Sequence, residues 1–264
     1  MKPRHAIPLL PLLAVEPLHQ DLRSAAHTAK SLGYGGLAIG IGHPELNAED
    51  FGTTAQRHLR KTLERQGVML GALRVGVGQS GAFDSTTSQR LLDDALGACD
   101  LAHRLHTPLV CVYIGEPDDE GAIAGDVVEI VRTITVQADR TGITCALSCG
   151  QTAWLLKLLS SIDAPCLAAN LDSLRILAAG GSPPDSSEAL AGRIGLWTCA
   201  DGIRSSSGFQ ITPLGAGRGA GARVVEILND QDFTGPIIID VRDFPDPFHA
   251  AANGIAQLKQ WIRA

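Results

Sequence analysis

Two carboxylates stand where short apolar runs of the sequence end. Asp172 and Asp240 each follow a segment rich in Ile, Leu or Ala. Such a pair can hold Mg²⁺ weakly, partly through water, and a carboxylate with a tuned pKa can move a proton next to a carbonyl. The similarly placed Ser148 and Thr198 carry neutral hydroxyls, which are poor in both roles. We therefore expect no metal, or a weakly bound Mg²⁺ or Mn²⁺ on Asp172 and Asp240, which are also the candidate catalytic residues.

Other polar residues near the ends of apolar runs are candidates for contact with a small ligand. Guanidinium groups bind carboxylates and phosphates, and hydroxyl and amide groups donate and accept hydrogen bonds. The residues assigned to ligand binding are Arg74, Tyr113, Ser148, Gln151, Thr198 and Arg204. A structural role stays open as well, because the arginines can form surface salt bridges and the two carboxylates can pair with Arg175 and Arg242.

The elements that must position these residues alternate along the chain. Apolar runs of strand length are separated by segments of helical periodicity, which indicates parallel strands with right-handed crossovers. The predicted strands lie near Ala6–Ala14, Gly36–Ile41, Val68–Val75, Leu109–Ile114, Thr144–Leu147, Cys166–Leu171, Ile194–Cys199 and Pro236–Asp240. Eight strand–helix units close an α/β barrel, so we expect residues 1–264 to form a single-domain (β/α)8 TIM barrel. The alternative is a doubly wound open sheet, but residues 15–20 are not the glycine-rich loop that it favours after its first strand.

Helical patterns fall between the predicted strands. They include Thr53–Gln66, Ser85–Leu105, Gly125–Arg140, Thr152–Ile162, Arg223–Asn229 and Pro247–Arg263. We expect Asp84 or Ser85 to cap the second of these. The Ser/Gly-rich segment after the strand Ile194–Cys199 is predicted to be a long loop. Within it, Gly215 and Gly217 favour a tight turn, and a backbone cradle for a phosphate is the alternative.

Composition bounds the class of protein. Hydrophobic residues make up 45% of the chain and charged residues 19%, which predicts a large core. The net charge of −6 and the lack of a dense basic cluster argue against nucleic acid as a partner.

The stretch Ala6–Val15 has the outline of a signal peptide, but Pro8 and Pro11 interrupt it and it is too short to span a bilayer, so we interpret it as the first strand. Six cysteines lie mostly in apolar runs, and we expect a cytoplasmic protein with reduced thiols and no membrane contact.

An ordered series of segments from about Leu22 onward carries a resemblance to a known family. In chain order the segments are LGYGGLAIGI, GALRVGVG, TPLVCVYIGEP, ITCALSCGQT, AANLDSLRILAAG, LAGRIGLWTCADGIR, TPLGAG and GPIIIDVR. This series resembles the sugar phosphate isomerase/epimerase family, the xylose isomerase-like barrels that also include the endonuclease IV branch. The resemblance implies a divalent metal held by Glu, Asp, His and Glu at the ends of the fifth to eighth strands. It also implies that the two glutamates move a proton between neighbouring sugar carbons.

Only part of that ligand set is present in this chain. Asp172 matches the family's aspartate, but Ser148 stands at the first glutamate position and Thr198 at the histidine position. The last glutamate is the shorter Asp240. Because losing even an outer partner of a metal ligand commonly costs about 10- to 100-fold in affinity or activity, losing two ligands should cost more.

Histidine placement agrees with this expectation, because none of the eight histidines lies between residues 107 and 248. We expect His43, and less strongly His19, near the site. With these departures, the resemblance implies a barrel that binds a small sugar-like or sugar-phosphate ligand with metal-dependent proton transfer impaired or lost. The alternatives are an active metal-dependent isomerase or epimerase that uses Asp172 and Asp240 and, less favoured, a phosphodiesterase like the endonuclease branch.

Overall fold

Parallel strands close into a barrel. The computed structural model describes residues 10–47, 51–76, 81–117, 123–205 and 208–263. Its strands are β1 (Leu10–Ala14), β2 (Gly36–Gly40), β3 (Met69–Val75), β4 (Leu109–Tyr113), β5 (Thr144–Ser148), β6 (Leu167–Asp172), β7 (Ile194–Cys199), β8 (Asp201–Ser205), β9 (Gly208–Thr212) and β10 (Pro236–Ile239). Around the ring the order is β1, β10, β7, β6, β5, β4, β3 and β2, while β8 and β9 pair separately. The predicted (β/α)8 barrel is confirmed.

Helices surround the barrel. They are α1 (Leu22–Leu32), α2 (Thr53–Gln66), α3 (Ser88–Leu105), α4 (Gly125–Thr141), α5 (Thr152–Ile162), α6 (Ser173–Ala178), α7 (Pro183–Ala189), α8 (Gly221–Asp230) and α9 (Pro247–Arg263). The bounds of α2, α5 and α9 are those predicted from the sequence. Within the described ranges, none of these helices has the length and hydropathy of a membrane span.

Local chemistry fixes where helices begin and end. Asp21 caps α1 by accepting a hydrogen bond from the Ser24 backbone N–H at 2.8 Å. The same helix ends at Gly33, whose φ of +85° is the left-handed conformation that favours glycine. Asp84 accepts instead from the backbone N–H of Thr86 at 2.8 Å, in the turn before α3. The expected cap at Asp84 or Ser85 was therefore wrong, because that turn delays the start of α3.

The segment after β7 differs from the predicted long loop. Residues 201–205 and 208–212 form the antiparallel hairpin β8–β9, with Asp201 opposite Thr212. The loop prediction was wrong because cross-strand pairing overrides the Ser/Gly-rich composition. At the other end of the chain, β1 covers residues 10–14 of the predicted first strand, and residues 6–9 lie outside the described residues.

Strand residues alternate between two apolar clusters. The larger cluster packs the outer face of the strands against the helices, and it includes Leu13, Leu73 and Trp197. The smaller cluster fills the barrel interior with Leu10, Leu12, Ala14, Ala38, Ala72, Leu109, Cys111, Ala146, Leu196 and Ile238. Several of these are alanines, which suit the narrow centre of a small barrel. The packed interior leaves the carboxyl ends of the strands, here called the barrel mouth, as the place for a site.

Candidate functional site

A polar layer lies directly above the apolar interior. Side chains on one face of a strand recur every second residue, so the last interior apolar residue of a strand is followed two positions later by a residue at the barrel mouth. These residues are Glu16, Arg74, Tyr113, Ser148, Thr198 and Asp240, and β6 adds Asn170 and Asp172. Arg74, Ser148, Asn170, Asp172, Thr198 and Asp240 are buried. The strand periodicity thus brings most of the sequence-predicted site residues together.

Asp240 is clamped between two arginines. Arg74 donates to its Oδ2 at 2.6 Å, and the Nε of Arg242 donates to the same oxygen at 2.9 Å. The Nη2 of Arg242 donates there as well, and the backbone N–H of Arg242 donates to Oδ1 at 3.1 Å. The Asp240 side chain is only 1% exposed. Arg74 also pairs with Glu16 at 3.1 Å, so it connects β3 to the residues that follow β1 and β10.

The two guanidinium groups decide the charge state of Asp240. Burial alone would raise the pKa of this carboxyl, but the positive charges of Arg74 and Arg242 outweigh burial and hold the pKa well below its ordinary value. Burial likewise works to lower the pKa of Arg74, and Asp240 and Glu16 reverse that and raise it. Asp240, Arg74 and Arg242 therefore stay ionised.

Asp172 is in a different electrostatic position. It is 6% exposed, and as the N-cap of α6 it accepts from the backbone N–H of Arg175 at 3.2 Å. Burial raises its pKa, and the charges of Arg242 and Arg175 only partly offset that effect. The pKa values of the two candidate catalytic carboxylates are thus shifted in opposite directions: that of Asp172 is raised and that of Asp240 is lowered.

An aromatic and an acidic side chain lie beside Asp172. The Arg175 guanidinium stacks over the Tyr113 ring at 3.8 Å from its centroid. The Tyr113 hydroxyl donates to Glu116 at 3.3 Å, and the Gly150 backbone N–H lies 2.7 and 2.8 Å from the two Glu116 oxygens. Burial raises the pKa of Tyr113 to about 12, and it also raises the pKa of Glu116. Tyr113 is therefore a hydrogen-bond donor at neutral pH.

Two hydroxyls and an amide complete the centre. Asn170 accepts from the Thr198 hydroxyl at 3.0 Å and from its backbone N–H at 3.1 Å, and it donates to the Cys111 sulfur at 3.2 Å. The buried Ser148 hydroxyl has no hydrogen-bond partner. The cavity among these groups, here called the central cavity, has a volume of about 20 Å³. That is room for about one water molecule.

A much larger cavity lies beside the centre, over the ends of β1, β2 and β3. This lateral cavity has a volume of about 900 Å³. Its lining includes Val15, Glu16, His19, Gln20, His43 and Arg74. The lateral cavity therefore contains both of the histidines expected near the site.

Hydrogen bonds fix two of the lining groups. Glu16 accepts from Arg74 and from the backbone N–H of Gly40, where any Cβ would collide with the carboxylate. The His43 ring accepts from the backbone N–H of Glu45 at 3.3 Å, and its other nitrogen lies 3.2 Å from the Gln20 carbonyl oxygen. Both ring nitrogens of His43 are thus engaged by the backbone, whereas His19 is exposed.

Two of the predicted ligand-binding residues lie outside both cavities. Gln151 is the N-cap residue of α5, and its amide donates to the Pro117 carbonyl at 2.9 Å. Arg204 is exposed on the hairpin, where it donates to the Ala178 carbonyl. Neither residue lines the central or the lateral cavity.

Asp201 organises the glycine-rich turn that follows the hairpin. Its two carboxylate oxygens accept from the backbone N–H groups of Gly202, Gly215, Gly217 and Gly219 at 2.7 to 3.0 Å. A Cβ on Gly217 would lie 2.3 Å from an Asp201 oxygen, so the approach requires glycine. The alternative of a phosphate cradle is not supported, because a carboxylate of the chain itself uses these N–H groups.

The sequence matches a family model over most of its length. The model is described as Xylose isomerase-like TIM barrel, and it matches residues 26–264. The chain belongs to the xylose isomerase-like TIM barrel family. None of the curated proteins compared with it matches.

Solved structures agree with this family. A xylose isomerase domain protein from Planctomyces limnophilus is 16% identical with a TM-score of 0.80, over 96% of both chains. A xylose isomerase-like TIM barrel protein from Mycobacterium smegmatis, in complex with magnesium, is 14% identical with a TM-score of 0.75, over 100% of this chain and 99% of that one. D-psicose 3-epimerase with D-tagatose from Clostridium cellulolyticum H10 is 13% identical with a TM-score of 0.71, over 96% and 98%. At these identities the likeness establishes the fold.

The residues of this member of the family do not fit a divalent metal. Of the four positions where the family resemblance implies metal ligands, two hold Ser148 and Thr198, whose hydroxyls are neutral, and the Thr198 hydroxyl donates to Asn170. Asp240 uses both oxygens to accept from arginines. Among the described residues, no group of three or more His, Cys, Asp and Glu side chains is arranged to hold a metal ion. Tight coordination would require Asp240 to give up its arginines.

Several contributors to the site were not assigned by sequence reasoning. Glu16 and Asn170 were not considered, and Arg175 and Arg242 were not assigned to catalysis, metal binding or ligand binding. The available signal was periodicity: Glu16 lies two residues after the interior Ala14, and Asn170 lies two residues before Asp172 on the same face of β6.

Proposed function

We propose that this chain binds a small polar, sugar-like molecule in the lateral cavity, without metal-assisted proton transfer. The observation that carries the proposal is the contrast between the two cavities. The central cavity of about 20 Å³ holds about one water. The lateral cavity of about 900 Å³ falls within the range of roughly 300–1,000 Å³ that is typical of small-molecule sites.

The lining of the lateral cavity suits a molecule with several hydroxyl groups. Glu16 is held in place by Arg74 and Gly40, yet 30% of its side chain remains exposed to accept from a ligand hydroxyl. The exposed His19 ring can donate or accept, and the partly exposed Ile41 supplies apolar surface. Because Arg74 already pairs with two carboxylates, an added phosphate gains less from it than from an unpaired arginine.

The side chains of the polar layer are the reason to infer that proton transfer is missing. The positions where the family resemblance implies two glutamate bases hold Ser148, which has no carboxylate, and Asp240, whose carboxylate two arginines keep ionised and enclosed. An ionised carboxylate with a strongly lowered pKa is a weak base. Asp172 keeps a raised pKa, but the acidic side chain beside it, Glu116, already accepts from the Tyr113 hydroxyl and the Gly150 backbone N–H.

A calorimetric titration with D-fructose, D-tagatose and a hexose phosphate tests the binding step. We expect saturable binding that His19→Ala weakens by about 2- to 10-fold, the worth of one net hydrogen bond. His27→Ala, on the exposed face of α1, is the matched control and should leave affinity unchanged. Equal effects of the two substitutions would contradict the assignment of the lateral cavity.

Deuterium exchange tests the chemical step. A ketose incubated with the protein and Mn²⁺ in D₂O should keep its carbon-bound protons, as followed by NMR. Incorporation of deuterium that depends on Asp172 and Asp240 would favour the alternative, an active metal-dependent isomerase or epimerase.

A further inference from the structure

Arg242 contacts Asp240, one of the carboxylates of the polar layer, and lies at the same cavity as Asp172. Its guanidinium donates to Asp240 from Nε at 2.9 Å and from Nη2. It also lines the central cavity together with Asp172 and Ser148, whereas Asp240 does not line that cavity. The guanidinium therefore separates Asp240 from the space that Asp172 and Ser148 face.

The buried carboxylates Asp172 and Asp240 need a positive charge nearby. Asp172 and Asp240 are both buried, and buried carboxylates are costly without a counter-charge. The nearby cations are Arg74, Arg175 and Arg242. Arg175 stacks on Tyr113, and Arg74 divides its guanidinium between Asp240 and Glu16. Arg242 is left as a cation that donates to Asp240 and lines the central cavity together with Asp172.

We propose that the Arg242 guanidinium, supported by Arg74, takes the place of a divalent cation at the centre of the barrel mouth. It supplies the positive charge that holds the two aspartates, and by occupying Asp240 it excludes a metal ion. The backbone supports this arrangement, because the N–H of Arg242 donates to the other oxygen of Asp240 at 3.1 Å and fixes the loop after β10. The inference rests on the proposed function in one respect, namely that the unaltered chain does not use a metal.

Weak metal binding has two possible causes here: the missing metal ligands, and the Arg242 guanidinium that already occupies the position. If only ligands are missing, Ser148→Glu with Thr198→His should create a metal site by itself. If Arg242 also occupies the position, these substitutions should fail until Arg242 is removed. The two causes can therefore be told apart by combining the substitutions.

The experiment is a Mn²⁺ titration by calorimetry, with thermal unfolding at increasing Mn²⁺, of four proteins. They are the unaltered chain, Arg242→Ala, Ser148→Glu with Thr198→His, and the triple variant. We expect the triple variant to bind one Mn²⁺ at least about ten-fold more tightly than the double variant. We also expect Mn²⁺ to raise the unfolding temperature of Arg242→Ala and of the triple variant, because a ligand that binds the folded state stabilises it.

A matched control uses another paired arginine. Arg223 pairs with Glu188 and Glu226 on the surface, where all three side chains are more than half exposed. Arg223→Ala in the Ser148→Glu, Thr198→His background should leave Mn²⁺ affinity unchanged. If Arg242→Ala does not fold, Arg242→Gln repeats the test with an amide that can still donate to Asp240.

The outcomes are distinguishable. Equal Mn²⁺ affinity in the double and triple variants would overturn the role of Arg242, and so would Arg242 variants that stay unfolded or unresponsive at every Mn²⁺ concentration. Tight stoichiometric binding by the unaltered chain would instead overturn the proposed function. Binding that appears only when Arg242 is removed supports both.

Discussion

Replacing Asp240 with Asn removes the charge that two arginines share and keeps the shape of the side chain. Arg74 is 6% exposed, so its guanidinium would keep only Glu16 as a counter-charge, whereas Arg242 is 23% exposed and can turn toward water. Breaking a buried ion pair on one side costs about 3–5 kcal/mol, because the other charge is left buried. We expect Asp240→Asn to lose about that amount in free energy of unfolding.

Urea denaturation followed by circular dichroism at pH 7 measures this loss. Asp163→Asn is the control, because Asp163 is 87% exposed and 3.9 Å from Arg193, and such a pair is worth roughly 0–1 kcal/mol. The effect should also depend on pH with a definite sign. Since the pKa of Asp240 is lowered in the folded state, its contribution is complete above the unfolded pKa of about 3.9 and is lost as the pH falls toward the folded pKa. If Asp240→Asn is no less stable than Asp163→Asn at pH 7, the proposed clamp of Asp240 by the two arginines is wrong.

Three further substitutions test other parts of the structure by the same denaturation assay. Asp172→Asn should leave the free energy of unfolding at pH 7 unchanged or increased. Because the pKa of Asp172 is raised in the folded state, its charged form destabilises the fold as the pH rises above about 4, and Asn also caps helices. A loss above about 1 kcal/mol would contradict this. Asp201→Asn should cost roughly 1–3 kcal/mol for each backbone N–H that loses its acceptor, and it should speed amide exchange in the turn 215–219; unchanged exchange rates there would count against the assignment. Gly217→Ala should destabilise, because its Cβ would lie 2.3 Å from an Asp201 oxygen, whereas Gly97→Ala in α3 meets no atom within 4 Å and should stabilise by up to about 1 kcal/mol; the same sign for both would refute the steric argument.

Much of the fold could be predicted from the sequence because its signals are local. Apolar runs and helical periodicity identified the barrel strands, and three helices were bounded correctly. The hairpin β8–β9 was missed because the Ser/Gly-rich composition of its segment is typical of a loop, and α6 was missed because a helix of six residues shows no apolar period.

The site was predictable in position and not in pairing. Barrel geometry and strand periodicity identify which residues reach the mouth, which is why most of the assigned residues meet there. The partners of Arg74 are 58 and 166 residues away, and no local pattern indicates such contacts. Only the three-dimensional structure therefore reveals that two arginines already bind the Asp240 carboxylate.

The central claim is that a guanidinium holds the two aspartates at the barrel mouth. The most direct measurement is an anomalous difference map from crystals grown in Mn²⁺. We expect no anomalous peak between Asp172 and Asp240, with the Arg242 guanidinium in contact with Asp240. A strong peak coordinated by both aspartates, with Arg242 turned away, would contradict the claim.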